Sequence, residues 1–310
     1  MAQTKEIRKK IGSVQNTKKI TSAMELVASS KMKKTQDAMK RGKPYSVKIV
    51  ELIDNLSKAS SEYKHPFFKT PEVKSDVYII VGTDKGLCGG LNTNLFKLAL
   101  NQMAKNQKSG REVKLVLFGK KAADTFSRLK NVEVLGTASK LGDIPSLEDV
   151  IGAAQIAISE FEQGKVSNVY LFANEYVNTM TQKPFEKDLL PIAEITNQES
   201  NDKKEIWDYI YEPSSKEILD GLLKRYIETQ IFQAVIENNA CEQAAKMIAM
   251  KNASENAEEI IKGLQLVYNN ARQASITQEL SEIVGELQQY KYRRKYERRR
   301  SNKTNYRSGN

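Results

Sequence analysis

The sequence predicts an α/β protein with a long α-helical coiled coil, in which the N- and C-terminal helices pair antiparallel and a central Rossmann-like α/β domain lies between them. Three observations predict it. The segments from Lys5 to about Ser57 and from Ser214 to Gly285 are nearly free of helix breakers, and both repeat apolar residues at three- and four-residue steps. Between them the pattern changes to short β-rich runs alternating with amphipathic stretches. The expected organisation is an N-terminal helix (1–60), a central domain (75–195), a C-terminal helix (214–285) and a basic tail (286–310). Ends that pair while the middle folds separately describe a shaft with a foot, which suits a mechanical part better than a catalyst.

From Lys5 to Lys43 the only glycines are Gly12 and Gly42, and proline is absent. Ile7, Ile11 and Val14, followed by Ile20, Met24 and Val27, form one narrow apolar stripe, interrupted by Gln15-Asn16-Thr17-Lys18-Lys19. Such a stripe fits a helix that pairs with one partner and leaves its other faces to water or protein. Pro44 permits a kink or break.

In the middle, Val77 to Val81, Val113 to Phe118, Val132 to Leu135 and Val169 to Phe172 read as strands, with Leu91 to Lys105 and Leu147 to Phe161 as helices. Strand and helix in alternation imply a mostly parallel sheet with crossover helices. Gly82-Thr83-Asp84-Lys85-Gly86-Leu87-Cys88-Gly89-Gly90 falls between the first strand and first helix, where a doubly wound fold puts its phosphate loop. It matches neither G-x-x-x-x-G-K-[ST] nor G-x-G-x-x-G, so glycines serving a tight turn explain it better than nucleotide binding. Cys88 reads as a small residue in a crowded turn, with a low-pKa thiol at a helix N-terminus as the alternative.

The C-terminal segment has no proline after Pro213, and only Gly221 and Gly263 interrupt it before Val284. Ser214-Ser215 can cap its start. About 70 helical residues would reach roughly 105 Å. Its stripe reads Leu219, Leu222, Tyr226, then Ile260, Leu264, Val267, Ala271 and Ala274, with small residues at Ala240, Ala244 and Ala245 where helices can approach closely. An ordinary helical bundle core would show the same periodicity.

With 310 residues, 28% charged, 7% aromatic and a formal charge of +11, and a mean hydropathy of -0.54, the composition suits an elongated helical protein with much wet surface. Residues 286–310 carry nine Lys/Arg against two Asp/Glu, so +7 of the charge sits in the tail and +4 elsewhere. The two cysteines, Cys88 and Cys241, are far apart, and the single His65 has no ligand-spaced companion, so neither a zinc site nor a disulfide framework is expected. No apolar run approaches the ~20 residues of a membrane span, and no signal-peptide apolar region is seen. No set of nucleophile, base and orienting group stands out. Paired acids such as Glu258-Glu259 read as a solvated helix face. Neither catalysis nor a cofactor is expected.

Three separated motifs, in order, resemble the gamma subunit of the F-type ATP synthase. They are I-R-K-K-I-G-S-V-Q-N-T-K-K-I-T-S-A-M-E-L-V-A-S-S-K-M, D-K-G-L-C-G-G-L-N and Y-N-N-A-R-Q-A-S-I-T-Q-E-L-S-E-I-V-G, and the likeness runs from Met1 to Gly285. The resemblance implies a non-catalytic central rotor stalk in a bacterial proton- or sodium-translocating synthase. Its terminal helices would stand inside a ring of three alpha and three beta subunits, with the foot against the epsilon subunit and the c-ring. Its chemistry would belong to the beta subunits, and its membrane association, at the cytoplasmic face of the inner membrane, would be peripheral and through partners. Nucleic acid is not an expected partner.

Carried over residue by residue, the resemblance makes Arg272, Gln273, Thr277 and Glu279 the cluster that engages the catalytic ring, and Met24 a neighbour of the beta-subunit lever. Periodicity alone would leave Arg272 and Gln273 on a solvated face. Lys246 occupies a further contact position, where the family's A-A-R-M carries Arg; an ammonium does not reproduce the bidentate guanidinium fork. The cysteine pair that makes the chloroplast version thiol-regulated is missing from the foot.

The tail departs from the short small-residue ending of the family. Codons can be chosen so that a one-base deletion accounts for its start: GGA GCT GCA GCA ATA TAA, which encodes Gly-Ala-Ala-Ala-Ile-stop, loses one G and, after a preceding Gly codon, reads GAG CTG CAG CAA TAT AA, giving Glu286-Leu287-Gln288-Gln289-Tyr290 and then Lys291. Tyr292 to Glu297 can in turn be written with AGGAG followed by ATG, a ribosome-binding site and start codon. The tail is therefore expected to be a frameshift read through into a following gene. Two other readings of the whole chain stay open on the residues: a coiled-coil nucleic-acid binder using the basic tail, and a nucleotide-using enzyme built on residues 76–192.

Overall fold

The fold, in a computed structural model, is described for residues 2–59, 65–69, 71–192 and 215–305. The chain divides into two compact units, Met1–Ser22 with Asn252–Asn310 and Ala23–Lys251. Helix α1 (Ala2–Ala59) and helix α5 (Ser215–Asn305) contribute to both. Ser214, the expected cap of α5, lies outside the described residues.

Helix α1 is continuous through Pro44. Proline removes one intrahelical hydrogen bond, but the turns beyond it bury Ile49 and Ile53 in the core, and that packing holds the helical path. Helix α5 likewise passes Gly285 without stopping. In the first unit Lys18 Nζ donates to Glu258 Oε2 at 3.0 Å, and Thr21 Oγ1 shares a 2.6 Å hydrogen bond with Ser254 Oγ. Advancing along α1 therefore means going back along α5, the antiparallel pairing expected. Glu258 is not merely solvated: the Lys18 hydrogen bond, with a second from Lys262, holds its carboxyl below the usual range.

The inward faces match the expected stripes in part: Ile7, Leu219 and Tyr226 are buried and Ile11, Val14 and Met24 half-buried, as expected. Ile20 and Val27 are 60% and 55% exposed, whereas Thr21 and Ser22 are half-buried and Ala28 and Thr35 fully buried. On α5, Ile260 and Val267 are exposed, and Ser254, Ala257 and Ile261 turn inward. In the first unit the hydroxyls of Thr21 and Ser22 bond Ser254 beside the buried Ile7, Ala257 and Ile261, so a count of large apolar residues alone misplaces part of the inward face.

In the second unit a five-stranded sheet runs in the order β3-β2-β1-β4-β5. Its strands are β1 (Ser75–Val81), β2 (Glu112–Phe118), β3 (Val132–Ala138), β4 (Asn168–Tyr176) and β5 (Gln182–Leu190). The first four are parallel and β5 pairs antiparallel with β4. Helices α2 (Leu91–Lys108), α3 (Lys120–Phe126) and α4 (Leu147–Glu162) make the connections. Helix α4 starts with a capping box in which Ser146 and Asp149 bond each other's backbone.

Strand β1 is buried throughout, and its period of two feeds two cores. Val77, Ile79 and Val81 join α4, Ile49 and Ile53 of α1, and Leu219, Leu223, Ile227 and Ile231 of α5. Tyr78 and Ile80 join Leu95, Phe96 and Met103 of α2 and Phe126 of α3. Strand β5 and helix α3 were not expected. Strand β5 is an edge carrying Pro184 and four charged residues, which blunt a free edge and hide its strand pattern.

Candidate functional site

The glycine-rich connection after β1 is a docking loop. Gly82 N donates to Phe118 O at 2.9 Å, and Gly82 O accepts from Asn238 Nδ2 of α5 at 3.1 Å. Asn92 Nδ2 donates to Thr83 Oγ1, which donates in turn to Lys85 O, both at 2.7 Å. Asp84 accepts from the backbone N–H of Lys120 at 3.0 Å and of Leu141 at 3.2 Å. Gly119, facing the loop at φ +85°, has to be glycine: a Cβ there would lie 2.7 Å from Gly82 O. The Gly82 carbonyl and the Thr83 and Asp84 side chains are thus tied to α5, α2 and the neighbouring connections, which makes this connection part of the fold.

Cys88 packs with Leu91 and Cys241 in a small buried cluster between this loop and α5. Burial pushes the Cys88 thiol up, and the nearby Glu242 carboxylate adds to the rise. The raised thiol runs against the low-pKa alternative, and the burial of Cys88 against Leu91 and Cys241 fits a small residue packed in a crowded turn.

The six expected contact residues divide between the two units. Met24 on α1 and Lys246 on α5 belong to the second. Met24 is half-buried. Lys246 is nearly withdrawn from solvent, its side chain 11% exposed, with Nζ 2.6 Å from Glu242 Oε1. The sequence offered Lys246 as a partner contact; its principal contact within the chain is this carboxylate, one turn earlier. Burial pushes the Glu242 carboxyl up, and the Lys246 hydrogen bond opposes it.

Arg272, Gln273, Thr277 and Glu279 are all exposed on α5 in the first unit. At 100° per residue Arg272 and Glu279, two turns apart, share one line, while Gln273 and Thr277 stand one turn apart on a neighbouring one. Ser275 Oγ donates to Glu279 Oε1 at 3.4 Å, and Ser281 Oγ donates to Thr277 O at 2.9 Å. Among the described residues, the side chains of Arg272 and Gln273 make no hydrogen bond or ion pair within the chain.

What the sequence reading missed lies beside these residues. Ile276, Leu280 and Ile283 are exposed and recur at steps of four and three, with Val284 next to them, forming an apolar stripe on α5. Arg272 and Glu279 flank one edge of it, and Thr277 the other. The periodicity is present in the sequence, but there it reads as a continuation of the apolar stripe with which this helix pairs.

The chain matches the ATP synthase family over residues 3–288, and it is 51% identical over 288 residues to the ATP synthase gamma chain of Legionella pneumophila strain Corby. The chain belongs to the ATP synthase gamma chain family. That alignment covers 92% of this chain and 98% of the Legionella relative, and the relatives from strains Lens and Paris give the same values. Among solved structures, the fold is similar to the rotor of the Euglena gracilis mitochondrial ATP synthase, with a TM-score of 0.61 at 18% identity over 89% of this chain and 99% of that one. It is also similar to a chain of the central stalk and c-ring of the Tetrahymena thermophila mitochondrial enzyme, with a TM-score of 0.55 at 23% identity over 76% and 99%. Family membership accounts for the paired terminal helices and the α/β domain together, and it argues against both open alternatives.

Proposed function

We propose that the chain is the central rotor stalk of an F-type ATP synthase and carries no catalytic site of its own. The observation that carries this reading is the 51% identity to a gamma chain over 98% of that chain's length. In this reading residues 1–60 and 214–285 form the stalk that turns within three alpha and three beta subunits. Residues 75–195 form the foot that meets the epsilon subunit and the c-ring. Ion flow turns the c-ring and foot, and the stalk presents a different face to each beta subunit in turn. Only contacts that differ between conformations shift a site's affinity, so the stalk surface must be uneven around its axis.

The C-terminal end of α5 has such a surface. Its apolar stripe, edged by Arg272, Glu279 and Thr277, offers strong contacts on one side and charged, wet ones on the others. Polar groups at the edge form and break contacts at low cost, which a repeating rotation requires. Met24 contributes from α1, and Lys246 acts chiefly through Glu242. No described helix is long and apolar enough to cross a membrane, consistent with peripheral attachment at the cytoplasmic face of the inner membrane through the c-ring.

The test is the pair Arg272→Ala and Gln273→Ala in the assembled synthase. Coupled ATP synthesis is expected to fall by about tenfold, matching loss of one to two contacts worth roughly 1 kcal/mol each, while nucleotide binding by isolated beta subunits is unchanged. Undiminished synthesis would remove these residues from the contact surface.

A further inference from the structure

One stretch of α5, Glu237 to Cys241, bonds to three different ends of the sheet. Asn238, fully buried, donates to Gly82 O at the end of β1 and accepts from Asn174 Nδ2 of β4 at 2.8 Å. Cys241 Sγ lies 3.5 Å from Asn174 O. Asn239 Nδ2 donates to Gly142 O and Asp143 O, at 3.2 and 3.3 Å, in the connection between β3 and α4. Glu237 Oε1 accepts from Tyr176 N at 2.9 Å.

Helix α1 grips two of the same places from its own side. Lys31 Nζ is 2.6 Å from Asp143 Oδ2, and Gln36 Nε2 donates to Tyr176 OH at 2.6 Å. The Asp143 connection and the Tyr176 end of β4 are therefore each held by both terminal helices, with Asn238 at the buried centre. These contacts lie within the one unit Ala23–Lys251. Apolar packing is non-directional and lets a helix roll or slide over a sheet edge at little cost. Hydrogen bonds are directional and fail within a small displacement, so this polar frame fixes rotation of the helix pair against the sheet.

We infer that Asn238, with the Lys31–Asp143–Asn239 and Gln36–Tyr176–Glu237 clamps, is a set of positioning residues for torque transfer from the α/β domain to the helix pair. The inference rests on the rotor reading above. In this role the clamps do not touch the ring or nucleotide. They set how far the helices lag behind the foot under load, so weakening them allows slip while hydrolysis continues.

The test uses the assembled synthase in membrane vesicles, with ATP-driven membrane potential and ATP hydrolysis measured together. The variants are Asn238→Ala and the surface pair Lys31→Met with Asn239→Ala, which leaves the buried core untouched. Against an opposing potential both are expected to lose about twofold or more of the ions moved per ATP, since each hydrogen bond removed shifts an equilibrium by roughly fivefold. Hydrolysis in uncoupled vesicles should be unchanged, and Lys31→Arg should restore coupling. If the surface pair pumps as many ions per ATP as the unaltered protein at every opposing potential, the inference is overturned. Unaltered protein that neither assembles nor pumps would instead defeat the rotor reading.

Discussion

Replacing Lys246 with alanine separates a structural role from a partner contact. Lys246 Nζ is 2.6 Å from Glu242 Oε1, and both side chains are about nine-tenths shielded. Removing the ammonium leaves a buried carboxylate without its ion-pair partner, a change that costs about 3 kcal/mol or slightly more. A protein of this size shifts its Tm by roughly 2–4 °C per kcal/mol, so a fall of about 6–12 °C is expected. The deficit should depend on pH in a set direction. Burial already raises the Glu242 pKa above its ordinary value, and Lys246 is the group that lowers it. A carboxyl with a raised folded pKa favours folding while protonated and loses that contribution as pH rises through the folded value. The alanine variant, with a still higher Glu242 pKa, should show its full deficit near pH 8 and a smaller one near pH 5. Lys246→Met with Glu242→Gln should recover most of the loss. The assay is thermal unfolding of the chain by circular dichroism. A deficit that is absent, or equal at the two pH values, would refute the reasoning and return Lys246 to the partner-facing surface.

A second buried carboxylate gives a parallel case: Asp76 is fully buried and accepts from Arg111 Nη1 at 2.5 Å and from Asn168 Nδ2 at 2.8 Å. Arg111→Met should cost about 2–3 kcal/mol, below the range for a fully buried pair because Arg111 remains partly exposed and water can replace it; urea unfolding within 0.5 kcal/mol of the unaltered protein would count against it. We propose that residues 286–310 arise from a frameshift, so the intact mass of protein from its native source should correspond to a chain ending a few small residues after Gly285. A mass of 35.0 kDa would make the tail a real extension of the helix.

The sequence disclosed the terminal helices and the strand–helix alternation because each is a sustained period. It hid what depends on context. Pro184 and the charges of β5 resemble a loop until β4 lies alongside. The Thr21–Ser254 pairing is invisible to a count of large apolar residues, which points Ile20 inward although it faces out. The glycine-rich connection from Gly82 to Gly90 is recognisable as a tight turn, but Asn238, which bonds Gly82 O, lies about 150 residues away and carries no local signal. At the contact surface, motif likeness named the polar residues, whereas the apolar stripe from Ile276 to Val284 is distinct only because those side chains are exposed.

The central claim is that this chain turns. A probe attached to the α/β domain at Lys108, the exposed end of α2, and followed in single assembled complexes fixed through the ring, tests it directly. With ATP, the account predicts rotation in one sense with three pauses per turn, one for each catalytic subunit. A probe that keeps a fixed orientation while the same complexes hydrolyse ATP would contradict it.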